Sequence, residues 1–115
     1  MVSQSRRHPE LEPAHPGELL GEVAIPASGK SKVEIALLLG VSRQTLYDVL
    51  NGAQSVTPAL ALRLGKLFGN GPELWLNMQQ AYDLWHARRT LGADLEKMPT
   101  LPATANRPAM SPESA

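Results

Sequence analysis

Apolar residues recur at helical spacing in five stretches of this chain, each bounded by residues that start or stop helices. In the first, about 16 to 24, Leu19, Leu20 and Val23 form the inward face, and Pro26 is expected to end the helix. Ile35, Ala36 and Leu39 line the second, about 32 to 39, which Gly40 closes; Leu46 and Val49 line the third, about 43 to 50. The fourth opens at Thr57-Pro58, as cap and first-turn proline, with Leu60, Leu64, Leu67 and Phe68 inward and Arg63 and Lys66 outward. The fifth, about 73 to 90, follows Gly69-Asn70-Gly71-Pro72 and carries Leu74, Trp75, Met78, Tyr82 and Trp85. With no strand alternation and no internal repeat, the pattern predicts an all-α fold. Residues 1–14, polar and broken by Pro9 and Pro13, suit a flexible arm. Prolines at 99, 102, 108 and 112 amid Ala, Ser and Thr predict a disordered tail over 93–115, leaving 15–92 as the folded domain.

The second and third stretches belong together. Ser31-Lys32-Val33-Glu34 is a capping box, in which hydroxyl and carboxylate each satisfy an orphan amide at the helix start. Ala36 is small where two steeply crossing helices bring their backbones close, opposite Leu46. Gly40 supplies the positive φ that a three- to four-residue turn demands, and Ser42 caps the next helix. Small residue, glycine, cap and apolar positions in one register spell a helix-turn-helix over 32–51, whose second helix would enter a DNA major groove.

Composition narrows the class. A chain of 115 residues, 43% apolar, suits one small domain, and no run approaches the roughly 20 apolar residues that cross a bilayer. The start, MVSQSRRHPELEP, has two arginines but no apolar stretch behind them, so it does not read as a secretory signal, and the cytoplasm is the expected compartment. The absence of cysteine excludes disulfides, thiolate catalysis and cysteine-ligated zinc. Net charge is zero, but the average hides a gradient. Lys30, Lys32, Arg43, Arg63 and Lys66 against Glu34 and Asp48 leave +3 over 30–66. Arg88 and Arg89 against Glu73, Asp83, Asp94 and Glu96 leave −2 over 73–96. A DNA reader needs a basic face rather than a basic average.

On the third helix the side chains not used for packing are the candidate base readers: Arg43 for guanine, Gln44 for adenine, Thr45 with hydroxyl and methyl, then Tyr47 and Asp48. Asp48 either accepts from cytosine or orients Arg43 or Arg63, and Tyr47 either touches DNA or packs at the helix rim. Phosphate contacts are expected from Lys30, Ser31 and Lys32 at the start of the second helix, and from Ser42, Asn51 and Gln54. The fifth helix carries a surplus of aromatics, so Trp75, Met78, Tyr82 and Trp85 either pack inward or form a two-fold dimer interface. Asp83-x-x-His86 has no accompanying pair and is weak as a metal site; neither an enzyme nor a cofactor is expected.

His15-Pro16-Gly17-Glu18 near the start, Asn51-Gly52 after the recognition helix and Leu74-Trp75-Leu76-Asn77-Met78-Gln79 near the end are more specific than the helix-turn-helix alone. By these motifs residues 15 to 92 resemble HigA-type antitoxins of the Cro/C1 (XRE) helix-turn-helix superfamily. The resemblance implies a five-helix repressor-like fold with a long C-terminal helix. It also implies a homodimer that represses its own operon at a palindromic site in double-stranded DNA. The partner implied is a HigB toxin, a RelE-like ribosome-dependent mRNA endoribonuclease, neutralised by direct binding. Two other readings stay open: a stand-alone repressor without a toxin, and a toxin binder that has lost DNA affinity. Leu37 and Leu38 stand at outer positions of the second helix that are commonly polar in relatives; they are either ordinary exposed leucines or a small apolar patch.

Overall fold

The computed structural model describes residues 11–102 and contains, among them, five helices and no strand. α1 covers residues 16–28, α2 Lys32–Leu39, α3 Arg43–Leu50, α4 Pro58–Phe68 and α5 Pro72–Lys97. The start signals hold in atomic detail. In the capping box the Glu34 amide donates to Ser31 Oγ (3.1 Å) and the Ser31 amide to Glu34 Oε1 (3.0 Å). The Thr45 amide donates to Ser42 Oγ (3.0 Å) and the Leu60 amide to Thr57 Oγ1 (3.2 Å), which starts α3 and α4. Gly40 ends α2 at φ +76, as the tight turn requires.

α1 departs from expectation. Pro26 does not end it; the helix continues to Ser28 and stops at Gly29. Residues Leu20–Ala24 form a π turn, in which the Ile25 amide donates to the carbonyl of Leu20, five residues back. The wider turn relieves the clash a proline ring makes with the carbonyl four residues earlier. It also rotates the register by one residue, so that Ile25 is buried beneath α1 while Val23, expected inward, is 55% exposed.

α1 crosses α3 closely: a Cβ on Gly17 would lie 2.0 Å from the Val49 carbonyl oxygen, so only glycine fits there. Leu20, Ile25, Ile35, Leu39, Val49 and Leu64 close the core between α1 and α4. α4 packs on the first half of α5, where Gly65 allows the Gly71-Pro72 backbone to pass. Trp75 is fully buried, its Nε1 donating to Asn70 Oδ1 (3.0 Å). Trp75 therefore belongs to the core of this chain, and its expected place in a dimer interface is corrected.

α5 runs seven residues past the expected end at Thr90, through Gly92, so residues 93–97 are helix rather than tail. From His86 to Leu101 every residue but Gly92 is exposed, and this half of α5 stands clear of the core. Residues 1–10 of the expected arm and 103–115 of the expected tail lie outside the described residues. No helix among the described residues is long and apolar enough to cross a membrane.

Candidate nucleic-acid interface

The turn at Gly40 and the cap at Ser42 place the first turn of α3 at the surface, where Arg43 and Gln44 are exposed and Thr45 half-buried. Ser42 Oγ, already accepting the Thr45 amide, donates to Thr45 Oγ1 (3.0 Å), leaving the Thr45 hydroxyl proton directed away from Ser42. Gln44 Nε2 donates to Asp48 Oδ1 (2.8 Å), one helical turn away. This bond fixes the amide's orientation while its other N–H and its Oε1 stay available, the pair a bidentate contact to adenine needs. Asp48 thus orients Gln44, not Arg43 or Arg63.

α2 supplies the neighbouring cationic edge. The Lys32 ammonium lies 5.8 Å from the centre of the Tyr47 ring, tying the start of α2 to the recognition helix. The amide and hydroxyl oxygen of Ser31 are both engaged in the capping box, where the bond from Ser31 holds the Glu34 carboxyl below the usual carboxylate range. The Ser31 hydroxyl proton, the Lys30 and Lys32 ammoniums and the first free amides of α2 are therefore the candidate phosphate donors at this end. Beyond α3, the Ala53 and Gln54 amides both donate to the Asp48 carbonyl (2.8 and 3.1 Å), which folds the loop back and leaves the Asn51 and Gln54 side chains exposed. Base and phosphate candidates so fall on one continuous surface made by the start of α2, α3 and the loop after it. Leu37 (74% exposed) and Leu38 lie on the outer side of α2.

One residue that periodicity placed merely on the outside has a structural task. Arg63 Nη1 donates to the carbonyl of Leu39 (2.8 Å), satisfying the C-terminus of α2 at the turn itself. Its guanidinium also occupies the space over Gly40, 2.7 Å from where a Cβ would stand. The sequence reading missed Gln79 as well: its Oε1 accepts the buried Val56 amide (2.8 Å) and its Nε2 donates to Asp83 (3.0 Å).

The remaining aromatics of α5 face inward or along its flank. Tyr82 meets the His15 ring edge-on (4.9 Å between centres) and the His86 ring on its other side (4.4 Å). His15 Nδ1 caps α1 by accepting the Gly17 amide (2.9 Å), and burial pushes its pKa below 6.5 against the opposing charges of Asp83 and Glu18. His86 Nε2 meets Glu12 Oε2 at 2.6 Å, so Asp83 and His86 serve different partners and do not converge. The Arg89 guanidinium lies over the Trp85 ring (4.6 Å), and Met78, Tyr82 and Trp85 are half-buried within this one chain.

A helix-turn-helix family model matches residues 25–76. The antitoxin HigA-1 of Vibrio cholerae is 35% identical over 82 residues, which cover 71% of this chain and 77% of that protein. An addiction module antidote protein of the HigA family from Coxiella burnetii has a solved structure 40% identical to this chain. It superposes with a TM-score of 0.72, covering 80% of this chain and all of that one. The Pseudomonas aeruginosa antitoxin HigA, solved with the higBA promoter, is 28% identical with a TM-score of 0.73, over 79% of this chain and all of its own.

Proposed function

Because this chain belongs to the HigA antitoxin family of helix-turn-helix proteins, we propose that it is a cytoplasmic homodimer that represses its own operon at an inverted repeat and neutralises an mRNA-cleaving toxin by direct contact. The observation that carries the DNA reading is the first turn of α3, where Arg43, an oriented Gln44 and the Thr45 hydroxyl share one exposed surface beside Lys32. Arg43, Gln44, Thr45 and Tyr47 read bases, with Asp48 holding Gln44. Lys30, the Ser31 hydroxyl, Lys32, Ser42, Asn51 and Gln54 set the register on the phosphates.

The test compares two substitutions on specific and random duplexes. Arg43→Ala is expected to weaken operator binding by the roughly 1–3 kcal/mol of a base contact while leaving random DNA nearly unaffected. Lys32→Ala is expected to weaken both alike and to flatten the salt dependence by about one unit. The half-sites should lie about 10 bp apart or a multiple of that. Identical profiles for the two variants would refute the assignment of α3 as the reading helix.

A further inference from the structure

We propose that a clasp between Glu12 and His86 aims the cationic stretch Arg6-Arg7 at DNA phosphates beside the loop after α3, which makes the N-terminal segment a second, sequence-independent contact to the duplex. The inference rests on the DNA reading above and adds residues which that reading does not use.

Its starting point is where the chain enters the fold. Gly17 at the start of α1 is pressed against the Val49 carbonyl near the end of α3, and the His15 ring lies 3.8 Å from where a Cβ on Gly52 would stand. The N-terminal segment therefore meets the core beside residues 51–54, the loop whose Asn51 and Gln54 side chains are exposed toward phosphates. Three residues earlier the segment is held a second time. Glu12 Oε2 meets His86 Nε2 at 2.6 Å, a contact across 74 residues of sequence. The Tyr82 phenol, whose ring touches both His15 and His86, hydrogen-bonds the same carboxylate; burial first, and then Glu12, raise its pKa above 10. Glu12 also precedes Pro13, which limits the directions in which the chain can leave the clasp. His86 and Glu12 are 45% and 43% exposed, too wet for their pairing to be needed by the core. A contact that stabilises little yet fixes a segment is suited to steering what lies beyond it.

Beyond the clasp the charge changes sign. Residues 1–9, MVSQSRRHP, contain Arg6, Arg7 and His8 and no carboxylate, whereas Glu10 and Glu12 stand on the clasp side. Arg7 is five residues from Glu12, at most about 17 Å, and Glu12 is three from His15, at most about 10 Å. The arginines are thus tethered within reach of the phosphates bordering the groove that α3 reads, where duplex DNA carries one charge per roughly 1.7 Å. Such a tether presents two cations at high effective concentration, and it supplements a face whose net charge over 30–66 is only +3.

Binding of the full chain to operator and random duplexes is measured by fluorescence anisotropy at several salt concentrations, with circular dichroism to confirm that each variant is folded. Arg6→Ala/Arg7→Ala is expected to weaken both duplexes alike and to flatten the salt slope by about two units, so that its deficit shrinks about tenfold for a roughly fourfold rise in salt. Glu12→Ala separates aiming from charge. Removing a carboxylate would by simple electrostatics tighten DNA binding, whereas loss of the clasp is expected to weaken it several-fold. Once both arginines are alanine, Glu12→Ala should no longer weaken binding, although it should add in full to Lys32→Ala. An unchanged salt slope in the double arginine variant would overturn the proposal, and is the result expected if the arginines sit on the acidic α5 of their own chain. Tighter binding by Glu12→Ala with the arginines intact, or a loss that persists without them, would overturn it too. Wild-type protein that binds neither duplex, or operator binding unmoved by Arg43→Ala, would overturn the DNA reading and this inference with it.

Discussion

Arg63 shows how a single outward side chain can govern the geometry of a motif it does not belong to. Its hydrogen bond to the Leu39 carbonyl spans 24 residues, and no periodicity within α4 announces it; the pattern correctly placed Arg63 outside and could say nothing of its reach. Arg63→Ala leaves that carbonyl without its charged donor, with an expected loss of about 1–2 kcal/mol by denaturant unfolding. Gly40→Ala should lose more, because the new Cβ meets both the left-handed backbone and the guanidinium. In both variants operator binding should fall at protein concentrations where the chain is still folded, since the angle between α2 and α3 loosens. His15 is the other residue whose role is physical rather than chemical. Its folded-state pKa lies below 6.5, so the unfolded chain takes up the proton first and stability rises with pH through that region. The contribution is complete above 6.5 and is lost as pH falls below it. His15→Asn, which keeps an acceptor for the Gly17 amide, is expected to flatten that acidic limb in melting curves taken from pH 7.5 to 5.5.

At the scale of elements, caps were legible and continuations were not. Ser31, Ser42 and Thr57 announce α2, α3 and α4 because a cap is a local bond between residues three apart. The two misjudged ends, of α1 and α5, both involve a helix breaker that surrounding structure overrides. At Pro26 the π turn removes the clash, and burying Ile25 compensates for the altered ladder. At Gly92 nothing lies within 4 Å of a would-be Cβ, so the only penalty is backbone entropy, and Leu91, Leu95 and the ordered turns before them carry the helix through. Gly92→Ala should therefore stabilise the outer half of α5 by about 0.5–1 kcal/mol, read as a higher helical signal and a rise of a few degrees in Tm. An unchanged or lower Tm would mean that the outer half of α5 is held by something other than its own helical preference. The sequence left the aromatics of α5 either packed inward or at a dimer interface, and burial of Trp75 decides for the first at that residue. Trp75 completes the core and Tyr82 packs edge-on against His15, while Leu84, Leu91 and Leu95 form an exposed stripe.

Across the whole molecule the charge gradient separates two tasks. The +3 region over 30–66 contains the start of α2, all of α3 and the loop after it, whereas the −2 region over 73–96 is almost all of α5. On the proposed reading, a surface that reads DNA and a surface that attracts a basic toxin can therefore act without competing for residues. Glu18 and Glu22 on α1 extend the acidic side, and long-range attraction of this kind speeds association more than it adds affinity. Neutralisation by contact does not require DNA, so the two activities should separate genetically. If a small basic protein is encoded beside this chain, co-expression of the two is expected to rescue growth that the neighbour alone arrests. Rescue should persist with Arg43→Ala, although repression of the operon is lost, and association of the two purified proteins should slow as salt is raised. If the wild-type chain neither rescued growth nor co-purified with that neighbour, its DNA-reading surface would stand alone as a repressor; if Arg43→Ala abolished rescue, toxin and DNA would share the recognition helix after all.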